Sequence, residues 1–346
     1  MKLKTITYEL RDVAIVQAPV SYCEHRGDVN NKVTICKRGV YPVFVSPMAS
    51  ITDEKNYKVW IENGLTPVVP RSVQQNITFN ERMQIAKETF VSISLSEAKN
   101  EFMKYLEDCN YLFDSTLYIC IDIAHGTLNS LYNICRLIKD KCGSNVVIMT
   151  GNVANPNTYQ FYADAGVDYC RVSIGSGSRC TSSANVGVHY GLATLIDQLN
   201  EQRKAYAHAH NGYAPTKLIV DGGISNFDDI NKSIALGADA VMCGNLIARS
   251  EEACGEIYEL NGERVRDYYG MSTKRAQRIT GGKGDRTSEG IDKPIKVEYP
   301  IAKWVDNMQS YLRSAMTYTN SRSIKEMQEN AQVIILGGSG DLAYRK

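Results

Sequence analysis

Residues 173–187 read SIGSGSRCTSSANVG, and Cys180 ends the glycine-rich part of that run. A cysteine is most often a small buried hydrophobe. This one stands on a polar loop, where main-chain amide dipoles favour a thiolate, so the sequence predicts a nucleophile. GSGS at 175–178, DGG at 221–223 and GN at 244–245 each follow an apolar run. Glycine lets a backbone approach a ligand closely, and the exposed amides together with the Ser178 hydroxyl suit a phosphate group. Asp221 is an acceptor at a strand end, suited to the vicinal hydroxyls of a ribose, while Ser225 or Asn226 is better placed to cap the helix that follows. Asp122, before IAHG, and Asn152, after Gly151, stand at two further strand ends.

The elements that must position these residues follow from hydrophobic period. PVFVSPM (42–48), TPVVPR (66–71), FVSISL (90–95), LYICIDIA (117–124), NVVIMTGNV (145–153), YCRVSI (169–174), KLIVDGG (217–223) and AVMCGN (240–245) are eight nearly continuous apolar runs. That pattern predicts parallel strands covered on both faces. Between them lie helical stripes such as Leu131, Ile134, Cys135 and Ile138, and Gly64, Gly166 and Gly237 close presumed helices. Eight strand–helix alternations predict an α/β fold, a (β/α)8 TIM barrel whose core spans about 42–250. In such barrels chemistry gathers at the carboxyl ends of the strands, where all the residues above fall. The polar, glycine-rich stretch 255–300 is expected to be a long mobile active-site flap after strand eight, followed by a helical region over about 302–330. The whole chain, 1–346, is expected to be one catalytic barrel domain with no inserted regulatory domain. VIILGGSGDLAYRK at the end resembles a dinucleotide-binding fingerprint, but too few residues follow to complete a βαβ unit, and it reads as a loose end.

Composition excludes several classes. The chain has 346 residues with 39 basic and 38 acidic side chains, a formal net charge of +1. No global field recruits nucleic acid or an anionic membrane, so any anion must be held locally. The sequence has neither a membrane-spanning apolar run nor a signal peptide, which predicts a cytoplasmic protein. Ten dispersed cysteines, several inside apolar runs, fit a reducing compartment and not a disulfide framework. His208 and His210 lack neighbouring ligands and do not read as a metal site.

TGNVAN, SIGSGSRCT, IVDGGISNFDDINKSIALGADAVMCGN and YYGMS, in that order, resemble the IMP dehydrogenase/GMP reductase family. The resemblance extends from RDVAIV through VSPMAS to YLRSAMTYTNS. It implies that Cys180 attacks C2 of the purine of a nucleoside monophosphate, forming a covalent thioimidate, with hydride passing between C2 and nicotinamide. It implies that Asp221 holds the ribose, that Ser178, Gly223, Gly244, Asn245 and Tyr268 surround the phosphate, that Gly270, Met271 and Ser272 meet the base, and that Gly222 is a further substrate-binding residue. Asn152 and Asp122 would lie where substrate and cofactor meet, with Arg71, Ala124 and Arg286 also beside the cofactor. Carbonyls of Gly175, Gly177 and Cys180 would bind potassium. The family also implies a homotetramer.

Within the family the sequence leans to the reductase, which converts GMP to IMP and ammonia with NADPH. RAQRITGGKGDRTSEG lacks the Arg-Tyr pair that activates water in the dehydrogenase, and Glu289 matches the glutamate of the reductase's Thr-Glu pair. GVHYG at 187–191 resembles the reductase's GVGYP, and the link after strand two is too short for the dehydrogenase's paired regulatory domain. Ser182 stands where the reductase has threonine; its hydroxyl makes the same hydrogen bond with one methyl fewer. Ser183 replaces a family arginine, and in PRS at 70–72 Arg71 is left to serve for a family basic motif. An IMP dehydrogenase without the insert, acting on IMP with NAD, is the first rival reading, and a non-catalytic purine-nucleotide-binding barrel the second.

Overall fold

The computed structural model describes residues 6–111, 115–284, 287–288 and 290–337. All eight apolar runs are strands: Val43–Val45 (β1), Thr66–Val69 (β2), Phe90–Ile93 (β3), Leu117–Asp122 (β4), Val146–Val153 (β5), Tyr169–Val172 (β6), Lys217–Asp221 (β7) and Ala240–Cys243 (β8). Each pairs in parallel with its sequence neighbours, and β8 closes on β1, giving a closed barrel. The glycines expected to end helices do so with left-handed backbones, at φ +74° for Gly64, +72° for Gly166 and +111° for Gly237. Leu131, Ile134, Cys135 and Ile138 are buried on one face of the helix Asn129–Cys142.

Strand period decides what enters the barrel. Phe44, Phe90, Tyr118, Cys120, Met149, Tyr169, Ile219 and Met242 form the interior cluster, whereas their neighbours Val43, Val45, Val91, Ile119, Cys170 and Val220 face the outer helices. Side chains alternate with period two, so two residues beyond an interior position is again interior. Continuing from Cys120, Tyr169 and Ile219 brings Asp122, Arg171 and Asp221 to the top of the barrel lumen. The other end is covered by a hairpin, Val33–Ile35 with Arg38–Val40, whose turn residues Cys36 and Lys37 have φ +49° and +59°. Ile35, Cys36 and Val40 pack against the interior cluster, and burial pushes the Cys36 thiol up to about 12.

The stretch after β8 is more ordered in its pairing than an irregular flap. Tyr258–Leu260 (β9), Glu263–Tyr269 (β10) and Asp292–Lys296 (β11) form an antiparallel sheet, with a helix at Lys274–Ile279 between β10 and β11. Val265, Tyr268, Tyr269 and Ile295 are buried, enough apolar surface to anchor the sheet against the barrel. Helices Ile301–Tyr318 and Ile324–Asn330 fill the expected terminal region. One expectation is corrected: the tail is not a loose end over Gln332–Ile335, which pairs antiparallel with Val13–Val16. The hydrophobic run that mimicked a nucleotide fingerprint is a strand whose partner lies at the other end of the chain. Residues 338–346 lie outside the described residues.

Candidate active site

The loop that carries Cys180 leaves β6 through Ser173 and Gly175, with φ +117° and +77°. It is held by short-range contacts: the Cys180 amide donates to the Gly177 carbonyl at 2.9 Å, and the Ser183 hydroxyl to the Gly175 carbonyl at 3.1 Å. A Cβ on Gly175 would stand 2.5 Å from that of Ser183, so a small residue at 183 and a glycine at 175 are one packing solution. The far side of the loop is tied to the sheet beyond the barrel, since the Ile291 amide donates to the Arg179 carbonyl at 3.0 Å. Cys180 is partly exposed there, at the wall of a cavity of about 600 Å³. No disulfide links the ten cysteines.

That one cavity collects the residues the sequence singled out. Asp122, Ala124 and Arg71 line one side, and Asn152 and Asp221 the floor. Gly175, Gly177, Ser178 and Cys180 come from the loop after β6; Gly222 and Gly223 follow β7, and Gly244 and Asn245 follow β8. Tyr268, Gly270, Met271 and Ser272 reach it from the end of β10. Glu289 and Arg286 lie outside the described residues, as does the Ser182 side chain; the Ser182 backbone starts the short helix Ser182–Val186.

Close backbone approach shapes the side of the cavity at Ser178, Gly244 and Tyr268. Asn245 Nδ2 donates to Ser178 Oγ at 3.4 Å, and the hydroxyl of buried Tyr268 stands 3.0 Å from where a Cβ on Gly244 would sit. Asn226, as expected, caps the helix Phe227–Ala235, in a box with Asp229, and leaves Asp221 for other work.

Arg171 is what the sequence reading missed. Buried in β6, it places Nη1 2.6 Å from Asp122 Oδ1, and Nε and Nη2 2.9 and 2.8 Å from Asp221 Oδ2. Asn152 Nδ2 donates to the same Asp221 oxygen at 2.7 Å. Arg71 Nε lies 3.6 Å from Asp122 Oδ2. Burial by itself would raise the Asp122 carboxyl, but the charges of Arg171 and Arg71 outweigh it and hold the group below its ordinary range, ionised at neutral pH. Burial likewise works against the Arg171 cation, and Asp221 and Asp122 more than restore it. The signal was present in the sequence: one arginine inside the apolar run YCRVSI has to find carboxylates once its strand is buried.

A partly exposed cysteine on a glycine-shaped loop, sharing a cavity with an ionised carboxylate, can form a covalent bond to a small anionic ligand held by main-chain amides. A family model described as IMP dehydrogenase / GMP reductase domain matches residues 7–342. A GMP reductase of Staphylococcus epidermidis is 31% identical over 318 residues, 90% of this chain and 91% of that protein. A GMP reductase of Staphylococcus aureus is 32% identical over 301 residues, 86% and 87% of the two chains. An inosine-5'-monophosphate dehydrogenase of Methanocaldococcus jannaschii is 32% identical over 243 residues, 65% of this chain and 47% of that protein. No helix among the described residues is long and apolar enough to cross a membrane. Motif order, barrel and cleft agree with these matches: the chain belongs to the IMP dehydrogenase/GMP reductase family, nicotinamide-dependent oxidoreductases that act on purine nucleoside monophosphates.

Proposed function

We propose that this chain is a GMP reductase, catalysing GMP + NADPH + H⁺ → IMP + NADP⁺ + NH₃. The choice of branch is carried by coverage: the Staphylococcus epidermidis reductase is matched over 91% of its length, the Methanocaldococcus jannaschii dehydrogenase over 47%. The link between β2 and β3 supports it, being filled by a 3-10 turn at Arg71–Gln75 and the helix Phe79–Ile85. The homotetramer is inherited from the resemblance.

In this reading Cys180 Sγ adds to C2 of the guanine and the 2-amino group leaves, with Glu289 and Ser182 handling its protons. Asp221 turns its Oδ1, which receives no donor from the described residues, to the ribose hydroxyls. Ser178, Gly222, Gly223, Gly244, Asn245 and Tyr268 hold the phosphate, and Gly270, Met271 and Ser272 the base. The Asp122 side fits a nicotinamide cofactor: Arg71 Nε is buried there with no hydrogen-bond partner among the described residues, beside Ala124 and an ionised carboxylate, with Arg286 assigned to the same group. NADPH, when bound, supplies the hydride that C2 requires. Gly175 and Gly177 carbonyls each accept one hydrogen bond inside the loop and keep a second lone pair, so with the Cys180 carbonyl they fit potassium as a brace for the loop.

The deciding experiment is a paired assay of reduced-nicotinamide absorbance. Oxidation of NADPH with GMP, and none of NAD's reduction with IMP, is the expected result; NAD reduction by IMP makes the protein a dehydrogenase. Absence of both, with GMP still raising the melting temperature, makes it a binding protein.

Gly222→Ala tests whether the β7 end positions the nucleophile. Gly222 has φ +97°, and a Cβ there would lie 2.9 Å from the Gly177 amide nitrogen. Either the turn or the loop has to move, and a displacement near 1 Å lowers kcat/KM by about 10²-fold. Steady-state kinetics beside a melting curve checks it; an unchanged rate removes the close approach from the mechanism.

A further inference from the structure

Asp122 and Asp221 end strands β4 and β7, which do not pair with one another. One guanidinium joins them. Arg171, rising from β6 with a side chain 8% exposed, divides its donors between Asp122 Oδ1 and Asp221 Oδ2, and both carboxylates face the cleft. A planar fork suits this task, since its donors point in fixed directions and engage two acceptors at once. On Asp221 the bonds from Arg171 and Asn152 converge on Oδ2, which fixes the plane of the carboxylate and leaves Oδ1 as its acceptor toward the cavity. On Asp122 the two oxygens are divided between Arg171 and Arg71.

We propose that Arg171 is a positioning residue that couples the two halves of the cleft: it orients Asp221 toward the ribose, and the share of its charge taken by Asp122 sets how strong an acceptor Asp221 remains. This rests on the nucleotide reading of the site given above. The physical link is competition for one cation. When Asp122 is ionised, the guanidinium serves two carboxylates; with Asp122 neutral, its whole charge falls on Asp221 and draws electron density from Oδ1. Coupling of this kind is reciprocal, so a group that engages Asp122 changes nucleotide affinity by the factor with which nucleotide changes its own.

The test is a cycle of GMP dissociation constants, measured by titration calorimetry without cofactor on the wild type, Asp122→Asn, Arg171→Lys and the double variant. Lysine keeps the charge but presents one ammonium in place of the fork, which preserves a foldable, charged barrel. Asp122→Asn is expected to weaken GMP binding about fivefold in the wild-type background and to have no effect beside Arg171→Lys. An equal effect in both backgrounds, or none in either, overturns the coupling; a merely structural arginine lowers the melting temperature in Arg171→Lys but leaves the Asp122 effect in place. If the wild type binds neither GMP nor IMP, the functional reading fails by itself, and the coupling is then judged on the empty protein. There, non-additive shifts in melting temperature for Asp122→Asn and Asp221→Asn, lost beside Arg171→Lys, support it, and additive shifts overturn it.

Discussion

Replacing Cys180 with alanine is expected to abolish turnover, by about 10³-fold or more in kcat, while GMP still binds within about threefold of the wild-type affinity. The size of the loss follows from the absence of a substitute. Cys120, Cys170 and Cys243 are fully buried in β4, β6 and β8, and burial pushes all three thiols up, Cys120 to about 12. None of the three lines the cavity, whereas Cys180 does. The binding contacts assigned to phosphate, ribose and base come from other residues, so affinity and turnover separate. Single-turnover kinetics with calorimetry checks both halves, and mass spectrometry of trapped enzyme seeks the adduct on the loop peptide. A variant that keeps the GMP-dependent rate removes the covalent mechanism.

The second large effect concerns stability. Phe90→Ala is expected to cost about 3–5 kcal/mol, lowering the melting temperature by roughly 5 °C. The Phe90 ring lies in the lumen with centroids 5.7 Å from Phe44, 5.5 Å from Tyr118 and 5.5 Å from Tyr169. Removing it opens a cavity at a meeting point of four rings, on four strands that closure of the barrel prevents from moving together independently. Phe90 does not line the catalytic cleft, so the KM for nucleotide well below the melting temperature is expected to stay within about twofold of wild type. Differential scanning calorimetry with kinetics at low temperature makes the comparison; a melting temperature that does not move shows that the lumen repacks.

Some parts of this molecule were legible because their causes are local. Parallel strands buried on both faces have to be continuously apolar, and all eight runs were strands. Glycine at a helix end is read directly from the left-handed backbone it permits, as at Gly64 and Gly166. Strand-end position then brought residues from Arg71 to Asn245 into one cavity, because a closed parallel barrel presents all its carboxyl ends on one rim.

Other features depend on partners far apart in the chain. The stretch 255–300 read as a mobile cover, and the antiparallel register of β9, β10 and β11 reveals a sheet within it. Gln332–Ile335 read as a loose end because its partner, Val13–Val16, is at the opposite terminus. Arg171 read as part of an apolar strand, and Ser183 as a departure from a family motif. The structure makes the first a bridge between Asp122 and Asp221 and the second a donor to the Gly175 carbonyl. By itself, then, the sequence determined the barrel and the rim on which Cys180 stands, since period, capping and turn residues act over a few neighbours. Which carboxylates share a cation, and which oxygen of Asp221 is left for a ligand, was decided only by closure of the barrel, which brings β4, β6 and β7 around one lumen.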